Sequence, residues 1–368
     1  MIVVDYLLLF VIIILLSMLL QRYYEKKEQR VTKDRFLSIQ NYLLNETSLG
    51  VSKKPILWIH IPYECNSRNW VDFSSRKTLE LNQPYLYMTV QTIIEKCEDS
   101  FNICLFDDSS FSKIIPNWKI NMKTFSDPIL THMRQLAMMK LVHIYGGMVV
   151  PISFLCFQNL DDMYKKGTRN NKMFLCENIN HNMTSSAYNV YPDIQFMGAR
   201  KNDTQLGELI QFMERNISAD STNQLDFVGD FNRWCNSRIY KTKQINLIDG
   251  KEIGIKTIDD DIVLVDELLN TDYIKYYNNM YGILVPSKMI LKRKKYEWFA
   301  RLSADQVLES NTILSKYILV NVSPDRSMND EKKEEPPSWI NFWSVPSKIN
   351  LWGFQPNGLG DNVPTVNA

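Results

Sequence analysis

The chain has 368 residues, 45% of them hydrophobic and 12% aromatic. That is enough apolar side chain for a sizeable α/β core and too much for a disordered chain. Its 42 Lys and Arg residues are matched by 41 Asp and Glu residues, a net charge of +1. The balance supplies no general field to draw in nucleic acid, so no nucleic-acid partner is expected and any anion site has to be local.

From Tyr6 to Leu20 no residue carries a charge, and Met1 to Val4 lengthen the apolar run enough to span a bilayer, with Asp5 near one interface. Residues 1–20 therefore read as a single-pass transmembrane anchor, because neither a basic start nor a small-residue cleavage site is present. Arg22, Lys26, Lys27 and Arg30 after the span favour a cytosolic C-terminal domain. Sequons beginning at Asn45, Asn182, Asn202, Asn216 and Asn321 point the other way, so the side of the membrane stays open. Residues 21–54, charged with helical spacing, read as a stalk. The six cysteines include no C-x-x-C pair and are expected to be buried thiols, with disulfides left open.

A folded domain is expected over residues 55–323. Ile56 to Ile61, stopped by Pro62, reads as a buried first strand, Pro84 to Cys97 as a helix, and Phe101 to Phe106 as a second strand ending in Asp107-Asp108. Strand, helix, strand, loop suggests a parallel sheet. Asp127 and Pro128 suit a helix start, and Leu130, Met133, Ala137, Leu141 and Ile144 make one apolar stripe that ends at Gly146. Met148 to Val150 then reads as a strand, which Phe154 to Phe157 is expected to continue past Pro151. Further helices are expected at 204–216 and 297–318, with strands near 173–176, 194–198 and 283–285. Residues 324–368 read as a charged linker and a tail carrying Trp339, Trp343 and Trp352.

The unit running from Met133 through Tyr145-Gly146-Gly147 to Ser153 resembles the sugar-binding region of glycosyltransferases that carry an Asp-x-Asp motif. That superfamily includes the initiating mannosyltransferases of fungal type, the capsular polysaccharide synthesis proteins and the glucosylating toxins. Trp58 to Pro62 is similar to their first strand, Leu105 to Asp108 to their second, and Ile194 to Ala199 to the strand that introduces the acceptor half. The resemblance spans residues 55 to 240 and implies a GT-A-like nucleotide-binding α/β sandwich. Its implied partners are a nucleotide-sugar donor, a glycan, lipid or protein acceptor, and the membrane. The Asp-x-Asp motif is degenerate: Pro151 and Ser153 stand at its two aspartates, and Gln135 and Met138 at the Asp and Arg of the preceding helix.

In those enzymes the motif holds Mn²⁺ or Mg²⁺ against the departing diphosphate. Pro151 offers no side-chain ligand and Ser153 only a neutral hydroxyl, so no tight metal is expected at the usual position, with weak Mn²⁺ or Mg²⁺ binding left open. The donor-binding candidates are His60, Asp107, Asp108, Gly146, Gly147 and Ser153; catalytic residues are not assignable. Asp107 and Asp108 lead, because ligands of α/β sheets gather at the carboxyl ends of strands. Asp161 and Asp162 read as a helix start, Asp226 and Asp230 as loop or cap residues, and Lys288, Lys292, Arg293, Lys294 and Lys295 as a solvated basic face or a diphosphate site. No H-E-x-x-H, P-loop, G-x-G-x-x-G or G-x-S-x-G sequence occurs. The functional readings are sugar transfer without the usual metal, a catalytically inactive GT-A-fold binding or scaffold protein, and, setting the resemblance aside, an anchored structural protein whose glycine turn is incidental.

Overall fold

The computed structural model describes residues 18–19, 54–62, 83–127, 129–180, 189–218 and 230–322. Met18 and Leu19 are helical and belong to one compact unit; all the other described residues belong to a second. The expected anchor, stalk and tail fall outside the described residues, apart from Met18, Leu19 and Lys54. Among the described residues no helix is long and apolar enough to cross a membrane.

The second unit is an α/β structure around a six-stranded mixed sheet of order β2-β1-β3-β6-β5-β7. β1 (Ile56–His60) lies between β2 (Asn102–Phe106) and β3 (Gly147–Val149) and is parallel to both. Ile56 to Ile59 are all buried, as befits a central strand covered on both faces, which is why the run is continuously apolar instead of alternating. β6 (Val190–Ala199) is antiparallel to β3 and to β5 (Phe174–Ile179), and β7 (Asn246–Ile248) runs parallel to β5. The sheet is thus mixed, where the strand–helix–strand pattern alone suggested a parallel one.

Two helices flank the first strands. α1 (Tyr85–Cys97) joins β1 to β2 and contributes Tyr85 and Met88 to one apolar core. α2 (Ile129–Tyr145) joins β2 to β3 and packs Met133, Leu136, Ala137 and Leu141 into another, with Ile56, Trp58, Cys104, Phe106 and Val149. Leu130 and Ile144, the ends of the expected stripe, pack partly buried against the same core. Asp127 accepts a hydrogen bond from Thr131 Oγ1 at 2.6 Å in the first turn of α2.

The glycine pair explains how α2 turns into β3. Gly146 has φ +76° and Gly147 φ +104°, both in the region that favours glycine. A β-carbon on Gly147 would sit 2.0 Å from the Ile56 carbonyl oxygen, so only glycine lets β3 come alongside β1 here. The Gly146 carbonyl in turn accepts the buried Trp58 indole N–H at 2.9 Å.

β3 does not continue past Pro151. The chain turns at Pro151, with the Phe154 N–H on the Pro151 carbonyl at 3.0 Å, and residues 154–156 form a separate strand, β4 (Phe154–Cys156). β4 pairs antiparallel with β8 (Gly282–Leu284) in a small second sheet. The helix expected at 297–318 is three short ones, Glu297–Arg301, Ala304–Glu309 and Ile313–Val322. Ser303 and Gln306 form a reciprocal capping box that starts a new helix instead of prolonging the old one. α3 (Asp161–Gly167) and α4 (Thr204–Ser218) fall where the sequence places helix starts. The five described cysteines are buried free thiols; Cys65 lies outside the described residues.

Candidate functional site

The chain leaves β1 for β2 on one side and then returns across β1 to β3 on the other. In open α/β sheets such a reversal of direction leaves a crevice outside the carboxyl ends of the strands, and ligands bind there. His60 closes β1 at that edge, and Asp107 and Asp108 follow β2 directly. β5 runs in the same sense as β1 and β3, so its last residues and the first residues of β6 reach the same edge.

At the ends of β1 and β2 the fold assembles a polar cluster from three elements. His60 Nε2 lies 2.8 Å from Asp108 Oδ1. Arg134, from α2, donates Nε–H to Oδ1 at 3.0 Å and Nη2–H to Oδ2 at 2.6 Å, a two-pronged grip on the same carboxylate. The side chains keep 10%, 22% and 13% of their surface for His60, Asp108 and Arg134, so the cluster is largely sheltered without being sealed. His60 stacks on Phe111 with ring centroids 5.2 Å apart and leans on Phe106, which fixes the imidazole plane.

Charge follows from these contacts. Burial alone would raise the Asp108 carboxyl, but the hydrogen bonds and positive charge from His60 and Arg134 outweigh it and hold it down to about 2. Burial lowers His60 from its ordinary 6.5, more than the Asp108 hydrogen bond raises it. The state near neutral pH is therefore an ionised Asp108, a cationic Arg134 and a neutral imidazole. An ionised carboxylate only accepts, so Nε2 of that imidazole carries the proton.

The remaining candidates separate. Asp107 caps the turn after β2, accepting from the Ser110 N–H at 3.0 Å and from the Ser109 and Ser110 hydroxyls at 2.8 Å each. Burial opposes its ionisation, and these bonds lower its carboxyl nonetheless. Gly146 and Gly147 lie at the amino end of β3, beside Ile56 at the start of β1, hence at the opposite edge from His60. Their geometry serves strand pairing. Ser153 is buried, and its carbonyl accepts the Val285 N–H at 3.0 Å, which extends the pairing of β4 with β8.

Sequence reasoning passed over Arg134 because alignment on the glycine pair drew attention to Gln135 and Met138. A signal was present: between Asp127 and Lys140 it is the one Asp, Glu, Lys or Arg residue. Two buried carboxylates at the same edge were also missed. Glu177, at the end of β5, accepts the Gly250 N–H at 2.9 Å and pairs with Lys256. Asp193, in β6, accepts from the Gln195 N–H at 2.8 Å and Asn178 Nδ2 at 2.7 Å. β6 bulges between the residues paired with Leu175 and Cys176, and Asp193 satisfies an N–H inside that bulge. Burial raises the Asp193 carboxyl against these bonds.

Asp161 and Asp162 begin α3, as the sequence indicates, and Asp161 pairs with Lys165. Asp230 begins a helix, Asp230–Asn236; Asp226 lies outside the described residues. Lys288 and Arg293 are exposed, and Lys295 pairs with Asp266 at 2.6 Å, while the side chains of Lys292 and Lys294 lie outside the description.

The donor set at this edge does not suit the divalent ion of the Asp-x-Asp enzymes. Asp108 has both oxygens on a guanidinium, Asp107 is occupied by a turn, Pro151 has no side-chain ligand atom, and Ser153 is neutral and buried. Among the described residues no three His, Cys, Asp or Glu side chains converge to hold an ion. What the arrangement can do is present a fixed neutral imidazole and a guanidinium to a ligand at the end of β1. No protein-family model matches the chain, and no curated protein matches it.

Proposed function

We propose that the chain is a glycosyltransferase-like membrane protein with a GT-A-like nucleotide-binding sandwich. In this reading residues 1–20 anchor it, and the carboxyl edge at β1 and β2 takes a nucleotide-sugar donor. The sugar passes to a glycan, lipid or protein acceptor without a metal held by Asp-x-Asp. The observation that carries the reading is the position of His60, Asp108 and Arg134 beside the point where the strand order reverses. Arg134 supplies positive charge toward a diphosphate in place of the metal, and Asp108 keeps the guanidinium aligned. His60 donates to Asp108 through Nε2 and so presents the other face of a neutral ring.

A second reading, a catalytically inactive GT-A-fold binding or scaffold protein, is favoured by one observation. Asp107 and Asp108 both have their carboxylates engaged within the chain, so neither is free to act as a base. Incubation of the full-length protein with UDP-, GDP- and CMP-sugars and a mixed set of acceptors, followed by release of nucleoside diphosphate or monophosphate, separates the two. Release that persists in chelator and falls at least tenfold in Arg134→Met supports transfer. Binding of donor with no release favours the second reading as a binding protein, and neither binding nor release removes transfer and leaves the scaffold.

A further inference from the structure

A pair of thiols lies away from the polar edge. Cys97 ends α1 and Cys156 ends β4, and both side chains have no exposed surface. The two elements are stitched together on either side of the pair. The Cys156 N–H donates to Thr92 Oγ1 of α1 at 3.0 Å, and Asn159 Nδ2, just beyond β4, donates to Ser100 Oγ, just beyond α1, at 2.8 Å. Between these ties the side chains of Cys97 and Cys156 face each other closely enough to interact. Cys156 Sγ also reaches the Gln158 carbonyl at 3.1 Å.

Two thiols on backbones tied together by independent hydrogen bonds on either side are placed to close a disulfide, with its S–S length of roughly 2.0 Å. The thiols also differ in character. The contact from Cys156 lowers Cys97 against the effect of burial, and burial raises Cys156.

We propose that Cys97 and Cys156 form a disulfide that clamps the carboxyl end of α1 to β4 when the chain folds in an oxidising compartment, and stay as a dithiol in a reducing one. The oxidant is a small-molecule disulfide such as oxidised glutathione. The thiolate of one cysteine of the pair attacks one of its sulfurs, the S–S bond breaks, and one glutathione leaves as thiolate and takes up the proton that cysteine gave. The other cysteine then loses its proton and attacks the sulfur of the first, which releases the second glutathione as thiol. One protein disulfide is formed and one small disulfide is reduced to two thiols. β4 follows directly on the Pro151 turn, so the clamp fixes the exit of the chain from β3. The inference is independent of the nucleotide-sugar reading, and the state of the pair reports on which side of a membrane the domain resides.

The test uses the full-length protein, refolded from urea in glutathione buffers of stepped redox ratio so that both thiols are accessible during folding. Free thiols are then alkylated and the protein is digested without reduction for mass spectrometry. The expected result is a linked Cys97–Cys156 peptide in the oxidising buffers and a thermal midpoint roughly 5–10 °C above that of the reduced protein. In Cys97→Ser and Cys156→Ser every remaining thiol should alkylate. Free Cys97 and Cys156 across all buffers, or linkage of either one to another cysteine, Cys65 included, overturns the proposal. A correct link with an unchanged or lower midpoint overturns the clamp. Should a serine variant fail to fold, the wild-type peptide map and midpoint decide alone.

Discussion

Arg134 holds both carboxylate oxygens of Asp108 across 26 residues of sequence, tying the middle of α2 to the turn that follows β2. Removal of one partner leaves the other charge in a sheltered place without its counterpart, and that imbalance costs more than the pair itself contributes. Arg134→Met is expected to lower unfolding free energy by about 2–3 kcal/mol. The double variant Arg134→Met/Asp108→Leu should recover part of this loss. Urea denaturation of the two single variants and the double variant measures the coupling; additive losses would show that the two side chains do not act as a pair.

The same carboxylate sets an acid limit. Its folded value, about 2, lies below the ordinary 3.8, so the folded chain prefers it ionised. The stability it confers is complete above the ordinary value and disappears as pH falls from about 4 toward 2, an amplitude of roughly 2 kcal/mol. Other carboxylates titrate in this range, so the readout is wild type minus Asp108→Asn. That difference should shrink toward pH 2, and a flat difference would mean that Asp108 is not ionised in this contact.

His60 is expected to stay neutral where an ordinary histidine begins to charge. Its value is lowered chiefly by burial, so its contribution to stability is present above 6.5 and is lost as pH falls through the lowered folded value. The His60 ring resonance in a pH-titrated NMR spectrum should show its midpoint below 6.5. A midpoint above it would mean that the Asp108 charge, not burial, governs the ring.

Gly147 should tolerate no side chain. In Gly147→Ala the new carbon would meet the Ile56 carbonyl oxygen at 2.0 Å with φ in a strained region, so β3 cannot stay paired with β1. Loss of at least about 3 kcal/mol is expected, enough to abolish folding in a marginal chain. Gly146→Ala, with 3.0 Å to the Lys201 nitrogen, should cost only about 1–2 kcal/mol. Soluble yield and thermal midpoints compare the two; equal effects would contradict the close-approach argument.

Much of the fold was legible because its signals are local. The unbroken apolar run at Ile56 to Ile59, the stripe on α2 and the glycine pair each dictate their own geometry. Pro151 was misread as a pause in a strand, since nothing nearby tells a bent strand from one that leaves to pair with Gly282 to Leu284, more than a hundred residues away. The break within 297–318 was written in the capping box of Ser303 and Gln306. In the site, His60 and Asp108 could be found from strand ends. Their partner Arg134 stood out only as the lone charge within the α2 sequence, and joining it to them depends on α2 crossing over β1. Asp193 and Glu177 were hidden for a similar reason: the bulge in β6 and the loop at Gly250, which give those carboxylates their partners, are tertiary features.

The most direct test of the central claim is calorimetric titration of the full-length protein with UDP-, GDP- and CMP-sugars, with Mn²⁺ and with chelator, for wild type and Arg134→Met. The account predicts that one donor binds equally well in both buffers and at least tenfold more weakly to the folded variant. Binding that requires Mn²⁺, or binding that Arg134→Met leaves unchanged, would contradict it.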